Sequence, residues 1–164
     1  MKRIVITCWL TFLGLFAGST VAAQPTLESL LAQPVAPPGV VFEIVDRDAQ
    51  ALELALPWVE EAARKLRARF QAVPMAVVTH GQEMFALQSS QQNQHSMTHQ
   101  RVQNLAKNEG IPVHVCETYA GWRGSTPEDF PTYVNVAASG PSQLRNYEML
   151  DYVRLVVPGS AKLR

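Results

Sequence analysis

Cysteine is scarce in this chain of 164 residues: there are two, Cys8 and Cys116. No CxxC pair exists, so neither a dithiol redox motif nor a ribbon-type zinc site is available. HExxH is absent as well. Glycine, at nine residues, never falls into GxGxxG or GKS/T, which excludes the common backbone cradles for nucleotide phosphates. Charge is sparse. Asp, Glu, Lys and Arg make up 17% of the chain, and basic and acidic residues balance at 14 each. A chain with no basic surplus lacks the electrostatic footprint for nucleic acid or an anionic membrane surface.

What is present begins with an N-terminal leader. Lys2 and Arg3 form a positive end, Ile4 to Ala17 is an apolar run, and Val21-Ala22-Ala23 supplies small residues ahead of Gln24. This pattern predicts a secretory signal peptide over residues 1–23, cleaved after Ala23. The alternative is a membrane anchor, but the apolar run falls short of the roughly 20 residues that span a bilayer. Cys8 follows Val5-Ile6-Thr7 rather than a small-residue lipid-attachment pattern, so it leaves with the leader. Loss of Lys2 and Arg3 gives a formal charge of −2. The expected product is periplasmic, free of the membrane, and carries one thiol, Cys116. A lone thiol in an oxidising compartment is buried and inert, paired between chains, or kept for chemistry.

Along the chain, residues 24–39 read as a proline-rich linker, with Leu27, Leu30 and Leu31 in one small apolar turn. Residues 40–164 read as a single domain. Val40 to Val45 is β-branched and nearly all apolar, as a buried central strand is. Asp48 is a candidate N-cap for an amphipathic helix from Ala49 to Phe70, in which Pro57 predicts a kink or split. Glu60–Arg64 and Glu61–Lys65 are i,i+4 pairs on its wet side. Pro74 to Thr79 is a second strand, ending at His80-Gly81. Met84 to Leu87 suggests a helical turn, Gln88 to Ser96 an exposed loop, and Met97 to Asn108 a helix stopped by Gly110. Ile111 to Glu117 is a third strand that ends in Cys116. Ser125 and Glu128 have capping-box spacing. Tyr133 to Ala137, a helix from Ser139 to Met149, and Tyr152 to Val157 complete the pattern. Strands alternating with helices predict an α/β fold of three layers: a mainly parallel five-stranded sheet with helices on both faces, flavodoxin- or Rossmann-like but without a nucleotide fingerprint.

In such a sheet the carboxyl ends of strands open onto the binding crevice. Three of them bring Thr79-His80-Gly81, Cys116-Glu117 and Ala138-Ser139-Gly140 to one edge. A thiol there, at the start of a helix, meets unpaired N–H groups that favour the thiolate, the nucleophilic form. His80 is a candidate neighbour or general base; otherwise it is a solvated loop histidine. Ser139 and Gly140, opening a helix, are candidates to hold an anion on backbone donors. His114, two residues before Cys116, reads as a partly buried histidine bonded to the backbone. His80, His114 and Cys116 would supply three metal ligands, but no zinc-type spacing accompanies them, and His95 and His99 straddle a loop and a helix start, so neither metal nor cofactor is expected. Trp122 and Arg123 would line the crevice or a subunit interface, or Trp122 simply packs against the fold.

These residues carry a resemblance. Gly110-Ile-Pro-Val-His-Val-Cys116, Pro127-Glu-Asp-Phe130, Tyr133-Val-Asn-Val-Ala137-Ala-Ser-Gly140 with Leu144, and the dipeptide Asp151-Tyr152 before the last strand are similar to the DsrE/DsrF-like family of small sulfur-relay proteins. In that family the closing strand follows a Gly-Tyr-like dipeptide. The resemblance implies a three-layer fold without a nucleotide and a homo-oligomer, a trimer or hexamer. It also implies that Cys116 accepts sulfane sulfur as a persulfide and passes it on. The leader and the stretch Tyr119 to Gly124 depart from the family pattern. The expected function is therefore periplasmic sulfur relay, sulfurtransferase-like, between a small-molecule or protein-thiol donor and acceptor. Cys116 and His80 would carry the chemistry, and Ser139 and Gly140 would hold an anionic donor. The alternative is a non-catalytic oligomeric binding or assembly module with Cys116 buried.

Overall fold

The computed structural model describes residues 24–164, so the predicted signal peptide and Cys8 lie outside the described residues. Five strands form one sheet in the order β4-β3-β2-β1-β5, and every pairing is parallel. They are β1 (Gly39–Ile44), β2 (Met75–Thr79), β3 (Val113–Cys116), β4 (Asn135–Ala137) and β5 (Tyr152–Val156). The chain walks outward from β1 to β4, then returns through α5 (Gly140–Glu148) to lay β5 on the other side of β1. Parallel crossovers are right-handed, so this reversal places α5 on the face opposite α2 (Leu52–Phe70) and α3 (Ser96–Lys107). The three layers follow from that one change of direction.

The two faces differ in chemistry. One is a large apolar core in which Val40, Phe42 and Ile44 of β1 meet Leu56, Val59 and Leu66 of α2. The other has a small cluster, Val41, Ala76, Val78 and Leu144, under a single helix. Strand alternation aims Glu43, His80, His114 and Arg154 at this second face, whereas Cys116, at the end of β3, packs with the main core. A set of interacting charged groups, Glu43, His80 and Arg154, therefore lies on the thinly covered side of the sheet.

Several local expectations need correction. Residues 24–39 are not merely a loose lead: α1 (Leu27–Leu31) has a Thr26/Ser29 capping box and buries Leu27 and Leu30 in the main core. Arg69 fastens it by bonds to the carbonyls of Leu31 and Gln33. α2 runs through Pro57 as one helix. It starts three residues later than the periodicity suggested, and Asp48 caps the preceding turn by accepting from Gln50 N–H at 3.0 Å. Glu61 pairs with Arg64 and Lys65, whereas Glu60 reaches Arg101 on α3. The capping box after β3 is Thr126/Asp129, because Ser125 is engaged by the Gln88 side chain. Asp151 stands at φ 61° where the family resemblance has glycine; aspartate is among the few side chains that tolerate this left-handed conformation. No helix among the described residues is long and apolar enough to cross a membrane.

Candidate functional site

β3 ends at Cys116, which serves as N-cap of α4 (Glu117–Trp122); its Sγ accepts from Tyr119 N–H at 3.4 Å. The last β2–β3 pair is Thr79↔Val115, so one step further His80 lies beside Cys116. Gly140, the first residue of α5, packs against both. A methyl there would lie 2.9 Å from His80 Cγ and 3.4 Å from Cys116 Cβ, and closer still to His80 Cβ. The convergence of His80, Cys116 and Gly140 expected from strand order is what the structure contains. Ser139 is adjacent, but its hydroxyl accepts from Ser142 N–H as the α5 cap. Thr118 ties the end of β4 to α4, donating both its N–H and its hydroxyl to Ala138 O.

Cys116 is only 4% exposed. The open space at this edge is a cavity of about 790 Å³ lined by Asp46, Arg47, His80, Gln82, Tyr119 and Ser160. It lies over β1, between the ends of β2 and β5, where the winding direction reverses; open α/β sheets bind ligands at such a switch point. The cysteine thus sits behind the crevice rather than facing it, and Ser139 and Gly140 do not line it. His80 borders both the cavity and Gly140. Arg123 stacks over Phe85 at 5.7 Å, while Trp122 is 77% exposed with its ring edge-on to Tyr119.

Two carboxylates organise the edge, and neither stood out in the sequence. Glu43, the next-to-last residue of β1 and 4% exposed, accepts from His80 Nε2 at 2.8 Å and from Arg154 Nε at 2.7 Å. Burial alone pushes its carboxyl up, but the hydrogen bonds from His80 and Arg154, with the Arg154 charge, outweigh that and hold it below its ordinary 4.5. Glu83 is fully buried in the 3₁₀ turn Gln82–Leu87. Its two oxygens accept from Thr79 hydroxyl at 2.6 Å, Asp46 N–H at 2.8 Å and Gly81 N–H at 2.9 Å. Asp46 in turn accepts from Ser160 N–H at 2.7 Å and Asp48 N–H at 3.0 Å, and these bonds hold its carboxyl below the usual 3.8. A lone carboxylate within a β-branched strand was the available signal for Glu43, since a buried charge requires a partner.

His99 and His114 are held by structural hydrogen bonds. His99 donates Nε2–H to Ala86 O at 2.9 Å, so its Nδ1 lone pair accepts from Tyr133 hydroxyl at 2.5 Å. His114 bonds Tyr147 hydroxyl at 2.9 Å, a side chain of α5 rather than the backbone as expected. Burial lowers the pKa of both rings below 6.5. The unfolded chain therefore binds protons more readily at these positions. Stability is complete above the unfolded value and is lost as pH falls through 6.5 toward the folded values. The thermal midpoint is expected to decline between about pH 7 and pH 5, and His99→Gln should show a shallower decline over that window. An unchanged slope in that variant would remove His99 from the account.

No protein-family model and no curated protein matches the sequence. Among solved structures the chain is similar to a protein of unknown function, MTH1491 from Methanobacterium thermoautotrophicum, at 19% identity and a TM-score of 0.56, covering 71% of this chain and 96% of that one. At that identity the likeness establishes the fold: a parallel three-layer α/β sheet.

Proposed function

We propose that this chain is an exported, DsrE/DsrF-like sulfur-relay protein that carries sulfane sulfur as a persulfide on Cys116. The observation that carries this reading is the meeting of Cys116 and His80 at Gly140, beside a crevice at the sheet's switch point. The Cys116 thiolate attacks the outer sulfur of thiosulfate or an organic persulfide. A bond forms between Sγ and that sulfur, and the bond to sulfite or to the donor thiolate breaks, with the electron pair leaving on the departing group. An acceptor thiolate then attacks the outer sulfur and returns Cys116 as thiolate. No net oxidant is needed. Exposed apolar side chains, Trp122, Met149 and Leu150, support a homo-oligomer; the family resemblance implies a trimer or hexamer.

The 4% exposure of Cys116 favours a second reading, an oligomeric assembly module with an inert core thiol. Intact mass after incubation with thiosulfate or polysulfide separates the two. The relay reading expects one or more added sulfur atoms, reversed by reductant and abolished by Cys116→Ser. An absence of adduct from every donor, together with a folded-state thiol that resists alkylation, would leave the module.

A further inference from the structure

We propose that Glu43 and Arg154 are positioning residues for His80: they hold its ring through Nε2–H, so that Nδ1 is the free nitrogen, a proton acceptor, at the Cys116 end of the sheet. The consequence for sulfur transfer rests on the relay reading; the geometry does not.

The chemistry of the pair fixes the tautomer. An ionised carboxylate only accepts hydrogen bonds, so the ring nitrogen 2.8 Å from Glu43 Oε1 must carry a proton. The neutral ring then keeps its lone pair on Nδ1, for which the described residues provide no hydrogen-bond partner. Glu43 has little freedom to do otherwise. Its second oxygen is held by Arg154 Nε at 2.7 Å and Nη2 at 2.5 Å, and the guanidinium faces Glu148 of α5 at 3.6 Å. This chain of charges crosses three adjacent strands, β5, β1 and β2, and ends at the crevice.

Stability alone does not account for it. A buried ion pair can commonly be replaced by apolar side chains of similar volume without loss, and the strand around Glu43 is otherwise apolar. Glu83 makes the contrast: its partners are the strand ends themselves, and it closes on nothing that lines the thiol. The ionisable groups facing His80 from the packed elements are Glu43 on β1, Arg154 on β5 and Cys116 on β3. Asp46, Arg47 and Tyr119 border the same cavity. In the resting structure Sγ is hydrogen-bonded to Tyr119 N–H and not to His80; on the relay reading, when Cys116 reacts from its thiol form, its proton passes to His80 Nδ1 as the bond to the sulfane sulfur forms. The resulting imidazolium is stabilised by Glu43, and the proton returns when the outer sulfur is handed on.

The test is nitrogen-15 NMR of the histidine rings in the full folded protein. There are four histidines, and His80→Gln assigns the signal. At pH 7.5 the wild type is expected to show His80 as the Nε2–H tautomer, a result that requires no substitution of the buried carboxylate. In Glu43→Gln the single amide oxygen turns to the guanidinium and the amide NH2 faces the ring, so the proton is expected to move to Nδ1. Alkylation of Cys116 by iodoacetamide at pH 7.5 should slow about tenfold in the same variant. Glu43→Asp, which keeps a carboxylate, should retain the Nε2–H tautomer. A proton on Nδ1 in the wild type, or a Glu43→Gln protein unchanged in tautomer and alkylation rate, overturns the proposal. Failure of the wild type to load sulfur while its tautomer is as expected counts against the relay reading and leaves the role of Glu43 standing.

Discussion

Glu83→Ala is expected to lower the thermal unfolding midpoint by about 10 °C or more. The side chain is fully buried, and its two oxygens satisfy three donors, two of them backbone N–H groups at the ends of β1 and β2. Each buried donor left without an acceptor costs about 1–3 kcal/mol. The tightness of the corner adds to this. Gly81 lies so near that a β-carbon there would sit 2.5 Å from Asp46 O and 2.8 Å from Asp46 N, so the strand ends have no slack with which to re-pair. Glu83→Gln keeps one acceptor oxygen but sets its amide NH2 against a donor, so a smaller fall is expected. Thermal melts of the two variants beside the wild type check the order. A Glu83→Ala protein as stable as the wild type would show that the corner closes in some other way.

Local pattern and long-range pairing were not equally readable. The alternation of apolar β-branched runs with amphipathic stretches placed all five strands; β1 and β2, buried on both faces, read as nearly continuous apolar runs, while the edge strands β4 and β5 were placed by the order of elements. Cys116 and His80 could be picked out because each sits at a strand's carboxyl end, and strand order alone brings such ends together. The helix starts were less well placed. Asp48 is a good capping residue in the wrong turn, and Ser125 lies one residue before the box that forms. A proline in the first turns of α2 did not break it. Neither carboxylate could be assigned a role from sequence. Glu43 and Arg154 are 111 residues apart, and nothing local in either strand encodes that bond. Glu83 belongs to a six-residue 3₁₀ turn, too short to carry a periodic signal.

The placement of polar groups has a simple cause in the topology. The strands from β1 to β4 advance in one direction, so their helices all fall on one face and can build a continuous apolar core. The single return crossover leaves the opposite face with α5 alone, a helix of nine residues. A face so thinly covered admits charged side chains near solvent at less desolvation cost than the main core. Arg154, Glu43 and His80 use that face, and Tyr147 on α5 supplies the partner for His114. The charged groups around His80 thus sit where the fold has the least apolar material, while Cys116 packs with the main core.

Gly140→Ala tests whether the start of α5 sets the thiol's surroundings. The added β-carbon would overlap His80 Cβ and lie 2.9 Å from its Cγ, atoms too near the backbone to swing aside. Either the end of β2 or the first turn of α5 must move, and overpacking of this kind costs about 1–3 kcal/mol. The unfolding midpoint should fall by about 5–10 °C. Two reactivity readouts should then move in opposite directions. A bulky maleimide should reach Cys116 faster, because α5 is one of the elements that cover a thiol now only 4% exposed. On the relay reading, loading with sulfane sulfur should slow, because on that reading it depends on His80 and Cys116 meeting at this glycine. Faster maleimide labelling with unimpaired loading would mean that the covering matters only for access and that His80 takes no part. Slower labelling together with a normal midpoint would mean that the helix accommodates the methyl group and that Gly140 is not the hinge of the site.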